Sequence, residues 1–176
     1  EDIKTIENFQ IADCYVTDTI RAGNHFWIDN QGVLWGTGHS EYGQLGELRE
    51  DLTTIKEPVL LAENVKHVDF SGEYFMIYIT EETSMNDLNS TYMNVITEPI
   101  LLMENVVYAR CGYSSIILLT EKGEVYELGN REYVPFGNNT YQKPHMVMEN
   151  AKYVTSFLNT YAVIDKKDNL WTWASQ

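Results

Sequence analysis

Positive charge is in short supply in this sequence. Twelve Lys and Arg stand against 26 Asp and Glu, a formal net charge of −14 at pH 7. A protein that grips DNA, RNA or an anionic membrane surface needs a basic footprint to displace counterions, and the densest basic run here is the pair Lys166-Lys167. Nucleic acid is therefore not expected as a partner. A basic protein or a cation suits the charge better, and the acidic surplus also serves solubility. Cysteine is scarcer still. Cys14 and Cys111 are nearly a hundred residues apart, which is neither a disulfide framework nor a metal-ligand spacing. Both read as buried, reduced thiols acting as small hydrophobes. No apolar run reaches membrane-spanning length and no leader pattern is present, so membrane insertion is not expected. The sequence opens at Glu1 rather than at Met, which leaves room for an upstream targeting or anchoring segment; the reading leans to a secreted or cell-surface location.

Signatures of catalysis are missing as well. The four histidines, His25, His39, His67 and His145, are not paired at metal-ligand spacing and no cysteine joins them. No Gly-x-Ser-x-Gly elbow occurs. The glycine-rich stretch Gly43-Gln44-Leu45-Gly46 has no helix start after it, and a phosphate cradle needs one. Carboxylate pairs such as Glu50-Asp51 and Glu81-Glu82 sit in polar turns and read as solvated surface. No catalytic residue, cofactor or metal site is assigned, and the chain is read as a non-enzyme.

What is present is aromatic and repetitive. Twelve Tyr, six Phe and four Trp in 176 residues favour strands, on whose half-buried pleats aromatic rings pack well. Three of the four prolines sit at the same point of a repeat. Glu57-Pro58-Val59-Leu60-Leu61-Ala62-Glu63-Asn64-Val65 is echoed by Glu98-Pro99-Ile100-Leu101-Leu102-Met103-Glu104-Asn105-Val106. A third copy is Lys143-Pro144-His145-Met146-Val147-Met148-Glu149-Asn150-Ala151. The Glu-Asn pairs recur 41 and then 45 residues apart, the period of propeller blades. Each proline opens an apolar run, where a missing N–H is tolerated at a strand start or edge, and Asn then accepts a left-handed turn. A second run follows (Val65 to Phe70, Val106 to Arg110), ending near Gly72 and Gly112. A third starts near Phe75 and Ile116. A polar turn leads to a fourth, Val125 to Leu128 or Leu170 to Trp173. Four short strands per unit is the plan of one propeller blade.

The N-terminal part enters the same plan midway, with Val16 to Ala22 as second run, His25 to Asp29 as third, and Gln31-Gly32 as turn. It continues Val33-Leu34-Trp35-Gly36-Thr37-Gly38-His39-Ser40-Glu41-Tyr42-Gly43-Gln44-Leu45-Gly46. This stretch resembles the repeat of the regulator of chromosome condensation family, with its Trp-Gly pair and closing Gly-Gln-Leu-Gly. The resemblance spans nearly the whole chain, specific in the first unit, degenerate and incomplete in the rest. Glu81 to Thr97 departs from the pattern as a polar insert, of which Met85 to Ser90 reads as loop. The resemblance implies seven blades, of which this chain supplies about half, and a protein-binding role.

The sequence thus predicts an all-β fold: a partial β-propeller of about three to four four-stranded blades in one domain over 1–176. The units lie near 1–56, 57–97, 98–142 and 143–176. Gly36, Gly43, Gln44, Leu45 and Gly46 are expected as structural turn residues, Leu45 pointing inward. His39, Tyr42 and Tyr133 are the expected contacts with another protein, on loops where Tyr supplies rigid contact area; Tyr92 and Tyr141 are weaker candidates. Self-association that completes a ring is expected from the half-ring count, with Trp171 and Trp173 near a terminal edge. The alternatives are a carbohydrate-binding or carbohydrate-processing surface module, whose aromatics serve as sugar platforms, and a structural scaffold segment of a larger protein.

Overall fold

In the computed structural model, the residues described are 10–17, 24–40, 45–46, 54–71, 75–80, 84–89, 100–112, 115–129, 144–158 and 160–174. They form four antiparallel sheets in chain order. The first holds β1 (Ile11–Thr17), β2 (Asn24–Asp29), β3 (Leu34–His39) and β4 (Thr54–Ala62). The second holds β5 (Val65–Ser71), β6 (Phe75–Thr80), β7 (Ser84–Asn89) and β8 (Ile100–Glu104). The third holds β9 (Val106–Cys111), β10 (Ser115–Thr120), β11 (Val125–Gly129) and β12 (His145–Met148). The fourth has three strands among the described residues, β13 (Ala151–Phe157), β14 (Thr160–Asp165) and β15 (Leu170–Ala174). Strand order follows chain order in every sheet. This is an all-β, partial propeller of four blade-like sheets.

The segments that repeat in sequence hold equivalent places. Asn64, Asn105 and Asn150 each adopt a left-handed backbone, with φ of 57°, 61° and 62°. Each takes the chain from the last strand of one sheet to the first of the next. A second turn type recurs between the second and third strands. Gly32 N donates to Asp29 O at 3.0 Å, Gly123 N to Thr120 O at 2.9 Å, and Asp168 N to Asp165 O at 3.1 Å. At Gly123 (φ +85°) a Cβ would lie 2.7 Å from the carbonyl oxygen of Ala151, so both the backbone angle and the close approach demand glycine. That approach is itself a bond, since Ala151 N donates to Gly123 O at 2.9 Å and ties the third sheet to the fourth. Val65 N donates to Gly32 O at 2.7 Å and ties the first sheet to the second in the same way.

The core lies in three layers between successive sheets. Phe26, Ile28 and Leu34 pack on Val65, Val68, Met76 and Tyr78. Ile77 and Ile79 pack on Val106, Ala109, Ile116 and Leu118, and Ile117, Leu119 and Val125 on Val154, Tyr161 and Val163. β10 is buried along its whole length because its alternate residues enter two different layers. Polar ties cross the same junctions: His67 Nε2 donates to Ala109 O at 2.9 Å, Cys111 N to Asp69 Oδ2 at 2.7 Å, and Ser156 Oγ to Cys111 O at 2.8 Å.

The structure corrects four expectations. The sheets break at the Glu-Asn pairs rather than at the prolines, so each proline-led run closes the preceding sheet instead of opening a unit. The reason is pairing: β4 bonds back to β3 and β12 back to β11, an outer-edge position that tolerates Pro58 within β4. Residues 85–89, read as loop, lie in β7, which pairs with both β6 and β8; the backbone ladder places this strand, not an apolar pattern. In the first sheet, the strand equivalent to the second run is Ile11–Thr17 rather than Val16 to Ala22. Cys111 is buried but Cys14 is exposed, because it lies on the face of the first sheet turned away from the second.

Candidate functional site

Two residues of the motif that carries the family resemblance, Gly36 and Leu45, pack against each other. Gly36, expected in a turn, lies inside β3. A Cβ there would meet Leu45 Cδ2 at 2.6 Å and Phe26 Cδ1 at 3.0 Å, so the missing side chain is the seat into which Leu45 drops. Leu45 is completely buried, and its N–H donates to Ser40 Oγ at 3.1 Å. Gly46 (φ +79°) is exposed at the end of this plug. His39 closes β3, half-buried. Its N–H donates to Asn24 Oδ1 at 2.6 Å, and its Nε2 lies 3.5 Å from Thr54 Oγ1. Tyr42, Gly43, Gln44 and Tyr133 fall outside the described residues, as do Tyr92 and Tyr141.

A concave surface forms at the other end of the chain, where the third and fourth sheets meet. The cleft, of about 590 Å³, is lined by Glu127 of β11, by His145, Val147 and Met148 of β12, and by Trp171, Thr172 and Trp173 of β15. Glu127 is buried, and its Oε2 accepts from Trp173 Nε1 at 3.4 Å. Trp173 in turn packs its ring 5.5 Å from that of Tyr161. Trp171 stays 51% exposed and shares the cleft with the exposed Val147 of β12. Two tryptophans, Val147 and Met148 thus surround one buried carboxylate.

Trp171 is held by the carboxylate of Asp165, a residue the sequence reading gave no role. Asp165 Oδ2 accepts from Trp171 Nε1 at 3.0 Å and from Asn169 Nδ2 at 2.9 Å. Its Oδ1 accepts from the N–H groups of Lys167 at 2.8 Å and Asn169 at 2.9 Å. The donors from the Asn169 and Trp171 side chains hold the Asp165 carboxyl well below the usual carboxylate range. The first sheet has the same device. Asp29 Oδ2 accepts from Trp35 Nε1 at 2.9 Å, and Oδ1 from Gln31 N at 2.9 Å and Val33 N at 3.0 Å. Burial works against the charged form of Asp29, yet the Trp35 and backbone donors outweigh it and leave its pKa lowered. The signal was legible as Asp followed six residues later by Trp, once at each end of the chain.

No family model and no curated sequence matches the chain. Solved structures do. Human WBSCR16 superposes with a TM-score of 0.73 at 16% identity, covering 99% of this chain and 50% of its own. Prp20p from Saccharomyces cerevisiae, described with its binding to Gsp1p and histones, gives a TM-score of 0.74 at 16% identity, with coverage of 98% and 47%. Yeast RCC1 (Prp20) bound to Kap60 gives 0.70 at 16%, with 98% and 45%. The likeness is one of fold: this chain has the regulator-of-chromosome-condensation type of propeller architecture and spans about half the length of the chains it matches.

Proposed function

We propose that this chain is a non-enzymatic protein-binding module, and that a partner docks in the cleft between β12 and β15. The observation that carries the reading is Trp171, half exposed in a cleft with Val147, Met148 and the buried Glu127. Large aromatic side chains dominate binding energy where a partner can desolvate them, and methionine adapts its shape to what it meets. The outer edge of β15 has no strand beside it among the described residues, so its backbone N–H and C=O groups can take an added extended segment. Glu127 and the net charge of −14 favour a segment that brings a lysine or arginine. Proteins of this fold engage other proteins, as Prp20p does Gsp1p and histones, and that supports the reading without naming the partner here. His39 is proposed as a further contact, together with Tyr42 and Tyr133.

A second reading rests on the same tryptophan. A flat indole face beside a carboxylate also suits a sugar ring, which makes carbohydrate binding the alternative. A panel of extended peptides, basic and acidic, and a glycan array separate the two. Basic peptides are expected to bind, and Trp171→Ala is expected to weaken them roughly tenfold or more, the mark of an anchor residue, with the circular dichroism spectrum unchanged. Binding by glycans alone, or peptide binding indifferent to Trp171→Ala and Glu127→Gln, overturns the protein-binding reading.

A further inference from the structure

The cleft between the third and fourth sheets holds the same place in its junction as the Leu45 seat holds between the first and second. The recurring corner fixes both places. Asp29 N donates to Val33 O at 3.0 Å in the first sheet, and Thr120 N to Glu124 O at 3.0 Å in the third. Three residues past those acceptors stand Gly36 and Glu127. Their surroundings correspond as well. Gly36 pairs with Phe26 and Glu127 with Ile117, and both partners are buried in the layer against the next sheet. Leu61 and Val147 each precede a Glu-Asn pair by two residues, and each walls its own seat. The cleft lies at a junction inside the row of sheets, because Trp171 pairs with Val163, which is fully buried against the third sheet.

The floor of the two seats differs. At the first junction it is glycine, and the apolar Leu45 drops onto it. At the later junction it is a carboxylate, and a cleft of about 590 Å³ opens beside it. Glu127 is only 6% exposed. The one hydrogen bond its side chain accepts among the described residues comes from the neutral indole of Trp173 at 3.4 Å, which is long for such a bond. The ion pairs among the described residues, Arg110–Asp69 and Lys152–Asp168, do not involve it. A buried carboxylate is costly until a cation meets it, and a leucine in this seat would only bury it further.

We infer that this seat takes one lysine or arginine side chain of the protein partner, inserted where Leu45 sits at the first junction, with its charge on Glu127 and its methylenes along Trp171 and Val147. The inference rests on the protein-binding reading above and names the side chain that the cleft selects. Charge complementarity chooses the occupant. A long cationic side chain buries its stem on apolar surface and keeps its head for the carboxylate, and an indole face attracts a cation. Trp171 Nε1 already donates to Asp165 at 3.0 Å, so Trp171 offers the occupant its ring rather than its N–H.

Two small probes test the seat: lysine and norleucine, each capped as the N-acetyl N-methylamide, so that they differ in the terminal ammonium. Each is titrated into the chain while the tryptophan indole N–H signals are followed by NMR. The lysine probe is expected to shift the Trp171 and Trp173 signals, the second because its N–H lies on Glu127, and to leave those of Trp27 and Trp35 in place. It is expected to bind roughly tenfold or more tighter than norleucine, the mark of a hydrogen bond to a charged group. Glu127→Gln is expected to bring the two probes within about twofold of each other. Glu127→Gly, which rebuilds the floor of the first seat, is expected to make norleucine the tighter of the two. A wild type that binds both probes alike, or neither, overturns the inference, and that comparison stands even where a Glu127 variant fails to fold. A preference for lysine that survives Glu127→Gln overturns it too. Extended peptides that bind through Trp171 while the wild type treats the two probes alike sink this inference and leave protein binding standing. Peptides that do not bind at all sink both.

Discussion

Asp165 and Asp29 each gather backbone N–H groups and a tryptophan indole onto one carboxylate, and Thr120 holds the same corner in the third sheet. There, Glu124 N donates to Thr120 Oγ1 at 3.1 Å, and the hydroxyl donates to Glu124 Oε2 at 3.3 Å. The corner thus exists in two chemistries, charged at the ends of the chain and neutral inside it. Both aspartates titrate lower in the folded chain than their ordinary value of 3.8. A carboxyl with a depressed folded pKa stabilises the fold fully above its unfolded pKa, and that contribution is lost as pH falls through the folded value. Asp165→Asn removes one acceptor and sets an amide against the donors, so it is expected to lower the thermal midpoint by a few degrees at neutral pH. The gap to wild type should narrow as the pH falls below the ordinary value of 3.8, where the unfolded chain's carboxyl takes up a proton that the native one resists. Melts followed across that range check this; a gap that stays constant would show that charge at Asp165 contributes nothing.

The turns between sheets join these corners to the elements. Asn105 ends β8 and starts β9 in a left-handed conformation that costs a β-branched residue about 1–2 kcal/mol and glycine nothing. Asn105→Gly is expected to leave urea unfolding nearly unchanged and Asn105→Val to destabilise by that amount. Ile117, fully buried in β10 between two layers, should cost about 2–5 kcal/mol as alanine. This is also the scale at which the sequence was most and least legible. The Glu-Asn pairs and their apolar flanks disclosed the repeat, because a left-handed turn selects Asn and a two-sided core selects continuous apolar runs. The phase was hidden, because antiparallel pairing and not composition decides whether a proline-led run belongs to the strand before it or after it. β7 was hidden too: Ser84, Asn86, Asp87 and Asn89 carry no strand signature, and the strand exists through its backbone bonds to β6 and β8. The Gly36–Leu45 seat was half visible, as an inward leucine without its glycine socket. The cleft was not visible, since Glu127, Met148 and Trp171 come from three strands and meet only after the sheets stack.

At the scale of the whole molecule, stability is a sum over sheets and the layers between them rather than the property of one core. Among the described residues the third sheet has a layer on each side, whereas the fourth has one, and its far face shows Tyr153, Ile164 and Leu170. Local opening should follow that difference, because regions with fewer buried contacts open at lower free energy. Amides of β10 should therefore exchange slowest, and those of β15 roughly tenfold faster or more. β14 should fall between them, being central in its sheet but covered on one face. Hydrogen exchange read by mass spectrometry distinguishes this from a uniform two-state chain, in which β10 and β15 would exchange together. A uniform pattern would mean that the four sheets open as one unit.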